Sequence, residues 1–184
     1  MKKGLMIGLM GAMTLVACNQ EKEKVEDQFN YTVEQFADLQ LLRFKVHGFE
    51  ELPLKQKELV YYLSEAALQG RDILFDQNGK YNLIIRKMLE VVYTDYQGDR
   101  SDANFKNFET YLKRVWFSNG IHHHYAADKF VPGFTPEFFK SALESVDASK
   151  LPLMEGETLD ALCEEVFPVI FDAKIMAKRV NQAD

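Results

Sequence analysis

Three helix-length stretches with apolar residues three and four apart fill the middle of this chain, which points to a helical core. Over 54–77 the apolar positions are Leu59, Tyr62, Leu63, Ala66, Ala67, Ile73 and Leu74, the spacing of an amphipathic helix, with Pro53 near its start. Gly70 either ends the first stretch or marks a tight contact, and one helix with a weak point there is the expectation. Asn78-Gly79 is a turn signal. Residues 81–96 are dense in Leu, Ile, Met and Val, which predicts the most buried helix of the fold. A polar run over 98–102 breaks the period and offers Ser101 or Asp102 as a cap. Phe105, Phe108, Tyr111, Leu112, Val115 and Trp116 then form one aromatic stripe, a core pattern rather than a cofactor pocket. Thr135 as cap with Pro136 at the first helical position opens another helix, because proline's missing N–H costs nothing there. Two short helices, over about 159–166 and 173–180, complete the set.

One segment reads two ways. Leu42, Phe44 and Val46 alternate with Arg43 and Lys45, a strand pattern, whereas Thr32-Val33-Glu34-Gln35 resembles a helix-opening capping box. The expectation is a short helix over 33–38 followed by an extended stretch. Neither an internal repeat nor a glycine-rich phosphate loop is present. The fold class is therefore mainly α: an irregular multi-helix assembly with little strand.

The first residues serve another purpose. Lys2 and Lys3 precede an apolar run over 5–16 that is well short of the ~20 residues a spanning helix needs. Leu15-Val16-Ala17-Cys18 ends it with small residues before a cysteine, the pattern of a bacterial lipoprotein signal. Residues 1–17 are read as the cleaved signal, Cys18 as the lipidated residue, and 18–28 as a charged tether. An ordinary secretory signal with an incidental cysteine is the plainer alternative. The lipid anchor places the domain in the cell envelope, on the periplasmic or outer-membrane side, and makes the membrane a partner through acyl chains alone. Each buried methylene adds ~0.8 kcal/mol to such an anchor.

Cleavage takes away two lysines and no acids, so the formal net charge of the remaining 167 residues moves from −6 to −8. That balance argues against nucleic acid, whose affinity rests on Lys and Arg neutralising phosphates. After lipidation only Cys163 remains, so packing alone must hold the domain. Its acidic neighbours Glu164 and Glu165 would raise a thiol pKa, which suits a small buried hydrophobe better than a nucleophile. The carboxylate pairs Glu50-Glu51 and Glu164-Glu165, and Asp72 with Asp76, read as solvated charges. A Gly-x-Ser-x-Gly elbow is absent from the sequence.

The chemistry-bearing segment is the run over 115–133. It leaves the aromatic helix as Ser118-Asn119-Gly120, passes through His122-His123-His124-Tyr125, and closes on Lys129-Phe130-Val131-Pro132. Loops of this composition leaving a rigid helix are where binding groups gather. Three adjacent imidazoles converge on one ion only if the backbone loops, and the single other histidine is His47, so no metal site is assigned to this chain. The plainer reading is that Asn119 caps the helix while Phe130 and Val131 dock in the core.

This run, together with Leu59-Val-Tyr-Tyr-Leu-Ser-Glu-Ala-Ala-Leu-Gln-Gly70, resembles the N-terminal region of the dipeptidyl-peptidase III family of zinc exopeptidases, most of all its Bacteroidetes members. The resemblance covers about 29–184. It implies that 29–184 is the helical N-terminal part of the lower lobe of a larger two-lobed zinc peptidase, truncated here. Ser118 and Asn119 match the family's Ser-Asn pair, and Lys129-Phe130-Val131-Pro132 matches its Lys-Phe-Val-Pro. The histidine triplet is not general to the family. The matching family loop walls the cleft that holds a short peptide, on the lobe opposite the zinc, which makes Asn119, His123, His124, Tyr125 and Lys129 the candidate substrate-facing residues. The family removes dipeptides from the N-terminus of short peptides by means of a zinc-bound water. Its His-Glu-x-x-x-His helix is missing from this sequence. The expectation is a segment inactive alone, with no catalytic residue or cofactor of its own, whose partners are short peptides and the missing C-terminal portion. A broad apolar patch should lie along the helices after Thr135, where the rest of the lobe would pack. The competing reading is a stand-alone helical envelope lipoprotein presenting its loop to a binding partner.

Overall fold

The computed structural model describes residues 29–178, so the readings made for the signal peptide, Cys18 and the charged tether lie outside the described residues. Among the described residues, 31–178 form one unit. Its elements are β1 (Thr32–Phe36), β2 (Leu39–Leu42), α1 (Leu54–Gln69), α2 (Arg71–Asn78), α3 (Asn82–Asp95), α4 (Ala103–Ser118), α5 (Pro136–Glu144) and α6 (Leu159–Phe171), with short 3-10 turns at Phe49–Glu51 and Ala148–Lys150. The architecture is mainly α and irregular, with a single two-stranded sheet among the described residues.

That sheet corrects the helix expected over 33–38. β1 and β2 pair antiparallel with Glu34 opposite Leu41 and Phe36 opposite Leu39, and a bulge falls between Thr32 and Glu34. Ala37 turns the corner at φ 49°. The capping box loses because long-range partners decide: Lys113 Nζ lies 2.5 Å from Glu34 Oε1, and Arg114 Nη2 lies 2.6 Å from Asp38 Oδ1. Both cations stand on α4, so the hairpin is fastened to a helix some eighty residues away, a force that local pattern does not register. The alternation of Phe44 and Val46 continues outside the sheet, with both side chains exposed.

The core lies among α3, α4, α5 and α6. Ile85, Met88, Leu89 and Val92 of α3 meet Phe108, Leu112 and Val115 of α4, Phe139 and Leu143 of α5, and Leu162, Val166 and Ile170 of α6. Burying side chains of this size contributes ~1.5–3 kcal/mol each relative to exposure. The helix over 81–96 is the most buried, as its composition predicts: α3 leaves only Thr94 of its fourteen residues exposed, against four of sixteen in α4 and five of thirteen in α6.

Caps follow the sequence. Asp102 accepts from Asn104 N–H at the start of α4, Thr135 from Phe138 N–H at the start of α5, and Thr158 from Ala161 N–H at the start of α6. Gly70 divides the stretch over 54–77, expected as one helix with a weak point, into α1 and α2, because glycine holds the helical backbone poorly, and Gly79 follows α2. The last two helices need correction. α6 runs on to Phe171 through Pro168, because Val169 and Ile170 are buried beyond it and hold that turn in place. Residues 173–176 form a turn, with Met176 at φ 56°, instead of opening a helix.

α1 departs furthest from expectation. It buries none of its sixteen residues. Leu59, Tyr62 and Leu63, placed by their spacing on a core-facing stripe, are all more than half exposed, as are Ile73 of α2 and Tyr61 and Leu68 on other sides of α1. The apolar patch expected after Thr135 therefore lies elsewhere, over 31–74. With apolar residues on nearly every side, α1 has no single face to turn inward, and nothing among the described residues surrounds it. No helix among the described residues is long and apolar enough to cross a membrane.

Candidate functional site

The loop after α4 begins with a conformational constraint. Asn119 adopts the left-handed conformation at φ 53°, φ/ψ space that asparagine tolerates better than most residues, and so ends the helix. Gly120 N–H then donates to Val115 O, and Asn119 O accepts from Asn78 Nδ2 at 3.1 Å. Gly120 is required by contact: a Cβ there would come within 2.5 Å of Asn82 Nδ2. Asn82 is 3% exposed and accepts Ile121 N–H on its Oδ1 at 3.2 Å, so this buried carboxamide stitches the start of α3 to the loop.

From Ile121 the loop forms a narrow antiparallel bridge. Phe130 N–H donates to Ile121 O at 2.9 Å, His123 N–H donates to Asp128 O at 2.8 Å, and His122 lies opposite Lys129. Residues 124–127 form the tip. Ile121 and Phe130 are buried beneath it, with the Arg114 guanidinium 5.4 Å from the Phe130 ring centre. Phe130 docks in the core as the plainer reading anticipated, whereas Val131 is 73% exposed and does not.

The candidate residues fall into two groups. His123, His124 and Tyr125 form one continuous surface: the two imidazoles stack at 4.4 Å, and Tyr125 lies 4.2 Å from His124 while 90% exposed. His123 Nδ1 accepts Tyr125 N–H at 3.2 Å, which places the proton of a neutral ring on Nε2. His124 packs edge-on against Phe117 at 4.9 Å, and its Nδ1 is buried without a partner. Asn119 and Lys129 are engaged differently. Asn119 forms the helix end, and Lys129 Nζ donates to Asp172 O at 2.6 Å and Ile175 O at 2.8 Å, with burial holding its pKa below the ordinary value. A ligand reaching Lys129 would compete with two carbonyls for its ammonium. His122 likewise faces the segment after α6, at 2.9 Å from Met176 O, and burial lowers its pKa.

Zinc finds no ligand set here: among the described residues no three His, Cys, Asp or Glu side chains come together to hold a metal ion. His122 is turned to Met176 O and the other two rings are stacked face to face, so the triplet does not converge. Cys163 is buried, and burial pushes its thiol up to about 11, with Asp160 and Glu144 adding to the rise in place of the sequence neighbours Glu164 and Glu165. Asp72 is more than a solvated charge. It pairs with Arg86 Nη2 at 2.6 Å, which holds its carboxyl below the usual range.

The sequence reading missed an apolar slot of about 240 Å³ between the hairpin and α4, lined by Phe36, Leu41, Trp116, Phe117 and the Glu34–Lys113 pair. Phe117 touches both this slot and His124, so slot and loop adjoin. No local signal marks it, since the hairpin arrives from far along the chain. Comparison with protein-family models and with curated proteins returns no match to this chain.

Proposed function

We propose that this chain is the N-terminal segment of a lipid-anchored dipeptidyl-peptidase III, supplying one wall of the cleft in which short peptides lose N-terminal dipeptides. In this reading Tyr125 offers its ring face to an extended peptide, and His123 Nε2–H orients a peptide carbonyl beside it. Zinc, which in such enzymes activates water and polarises the scissile carbonyl, would be held by polypeptide outside the described residues. Anchoring through Cys18 would keep the protein at the envelope membrane.

The observation that carries the reading is α1. A helix apolar on nearly every side belongs inside a domain, yet α1 has no buried residue among those described. Together with the exposed Phe44 and Val46 it supports a lobe completed by further polypeptide. The test is zinc content and hydrolysis of an arginyl-arginyl-naphthylamide by the purified chain. Neither bound zinc nor turnover is expected, and robust zinc-dependent turnover would overturn the proposal.

The closed core of α3, α4, α5 and α6 favours the second reading, a stand-alone envelope lipoprotein with a binding loop. A monomer that melts cooperatively and binds no hydrophobic dye would favour it over the first.

A further inference from the structure

Beneath the loop lies a small polar cavity of about 30 Å³, walled by Asn78, Asn82, Ser118, Asn119, Gly120, His122 and Lys178. It joins the end of α2, the start of α3, the end of α4 and the segment after α6. Ser118 is 7% exposed, and its Oγ is buried without a hydrogen-bond partner. A buried hydroxyl left unsatisfied costs free energy, so such groups usually meet a partner that is not protein. Asn82, 97% buried by the same measure, spends its Oδ1 on Ile121 N–H, which leaves the two hydrogens of Nδ2 as the available donors. Lys178 brings a positive charge to the wall, and no carboxylate is among the lining residues.

We propose that this cavity binds one small monovalent inorganic anion, of the chloride class, held by Asn82 Nδ2–H and Ser118 Oγ–H and balanced by Lys178. The volume sets the class. Space of this order holds one or two non-hydrogen atoms, which favours a small ion over sulfate, phosphate or a peptide carboxylate. The donors set the sign, since an amide N–H pair, a hydroxyl and the Lys178 ammonium, which also donates to Ala126 O at 3.5 Å, line one cavity without a carboxylate among them. Bound there, the ion fastens the base of the 121–130 loop to α3 and to the segment after α6, fixing the platform from which His123, His124 and Tyr125 project. This inference is independent of the peptidase reading.

The test is thermal unfolding of the whole chain at constant ionic strength while gluconate is replaced by chloride, bromide or sulfate. Chloride and bromide should raise Tm along a saturable curve and sulfate should not, because a ligand that binds only the folded state stabilises it by mass action. Asn82→Asp keeps the acceptor for Ile121 N–H but replaces both donors with a negative charge, and should abolish the chloride response. Ser118→Ala, a smaller change that keeps the fold should Asn82→Asp not, should weaken apparent chloride affinity by about tenfold or more. In bromide-soaked crystals an anomalous peak should lie between Asn82 Nδ2 and Ser118 Oγ. An ordered water at that place with no anomalous signal, or an undiminished chloride response in Ser118→Ala, would overturn the assignment.

Discussion

α1 and α4 are both sixteen residues long, and the fold treats them in opposite ways. α4 gathers its apolar side chains on one stripe, buries six residues, begins under the Asp102 side chain and ends on left-handed Asn119. α1 has no side-chain cap and buries nothing. The difference is one of arrangement. In α4 the polar positions Lys106, Lys113 and Arg114 leave Phe105, Phe108, Leu112 and Val115 free to face α3 and α5, whereas α1 scatters Leu59, Val60, Tyr61, Leu63 and Leu68 around its axis. An apolar stripe selects a face and so a neighbour; an apolar cylinder needs a surround.

That contrast breaks most readily at its centre. Phe108→Ala should cost about 3–5 kcal/mol in denaturant unfolding, enough to unfold much of a marginal domain, because Phe108 is fully buried and its ring lies 5.6–6.4 Å from the rings of Phe105, Phe134, Phe138 and Phe139. The same experiment on Leu63→Ala in α1 should cost less than about 0.5 kcal/mol. A cost above 2 kcal/mol at Leu63 would show that α1 is packed after all.

Next in size is the cap. Asp102→Ala removes the acceptor for Asn104 N–H and should lower stability by about 1 kcal/mol in thermal or chemical unfolding, with Asp102→Ser recovering most of it. The pH dependence is smaller still. Burial, helped by the charges of Lys129 and Lys178, holds His122 below its ordinary value of 6.5. The unfolded chain then takes up the proton first as pH falls, so stability is complete above the unfolded value and declines as pH drops through about 6.5, until the folded imidazole is protonated too. Denaturant midpoints measured across that range should show the decline, and His122→Gln should flatten it. Smallest for stability is the double variant Leu59→Lys with Tyr62→Lys: a change of about 0.5 kcal/mol or less, with a clear drop in hydrophobic-dye binding.

Much of this fold was legible as pattern. The aromatic stripe of α4 and the Thr135-Pro136 start of α5 follow from spacing and backbone chemistry, and both stand where those rules put them, whereas Gly70, expected as a weak point in one helix, separates two. What escaped depends on residues far apart in the chain. The hairpin owes its place to Lys113 and Arg114, and local rules favoured a helix over the same residues. The extension of α6 past Pro168 rests on the burial of Val169 and Ile170. At the loop, Asn119 could be recognised as a helix end and Phe130 as a core residue. The ties of Lys129 to Asp172 O and of His122 to Met176 O could not, because the segment after α6 folds back through a left-handed residue that its sequence does not announce.

Hydrogen exchange on the intact native chain, resolved by peptide, compares the two sixteen-residue helices directly. Amides of α4 should exchange only on global unfolding, while those of α1 should exchange through local opening with far less protection. Equal protection in α1 and α4 would mean that the N-terminal helix has a core of its own, and the case for a lobe awaiting its surround would fail.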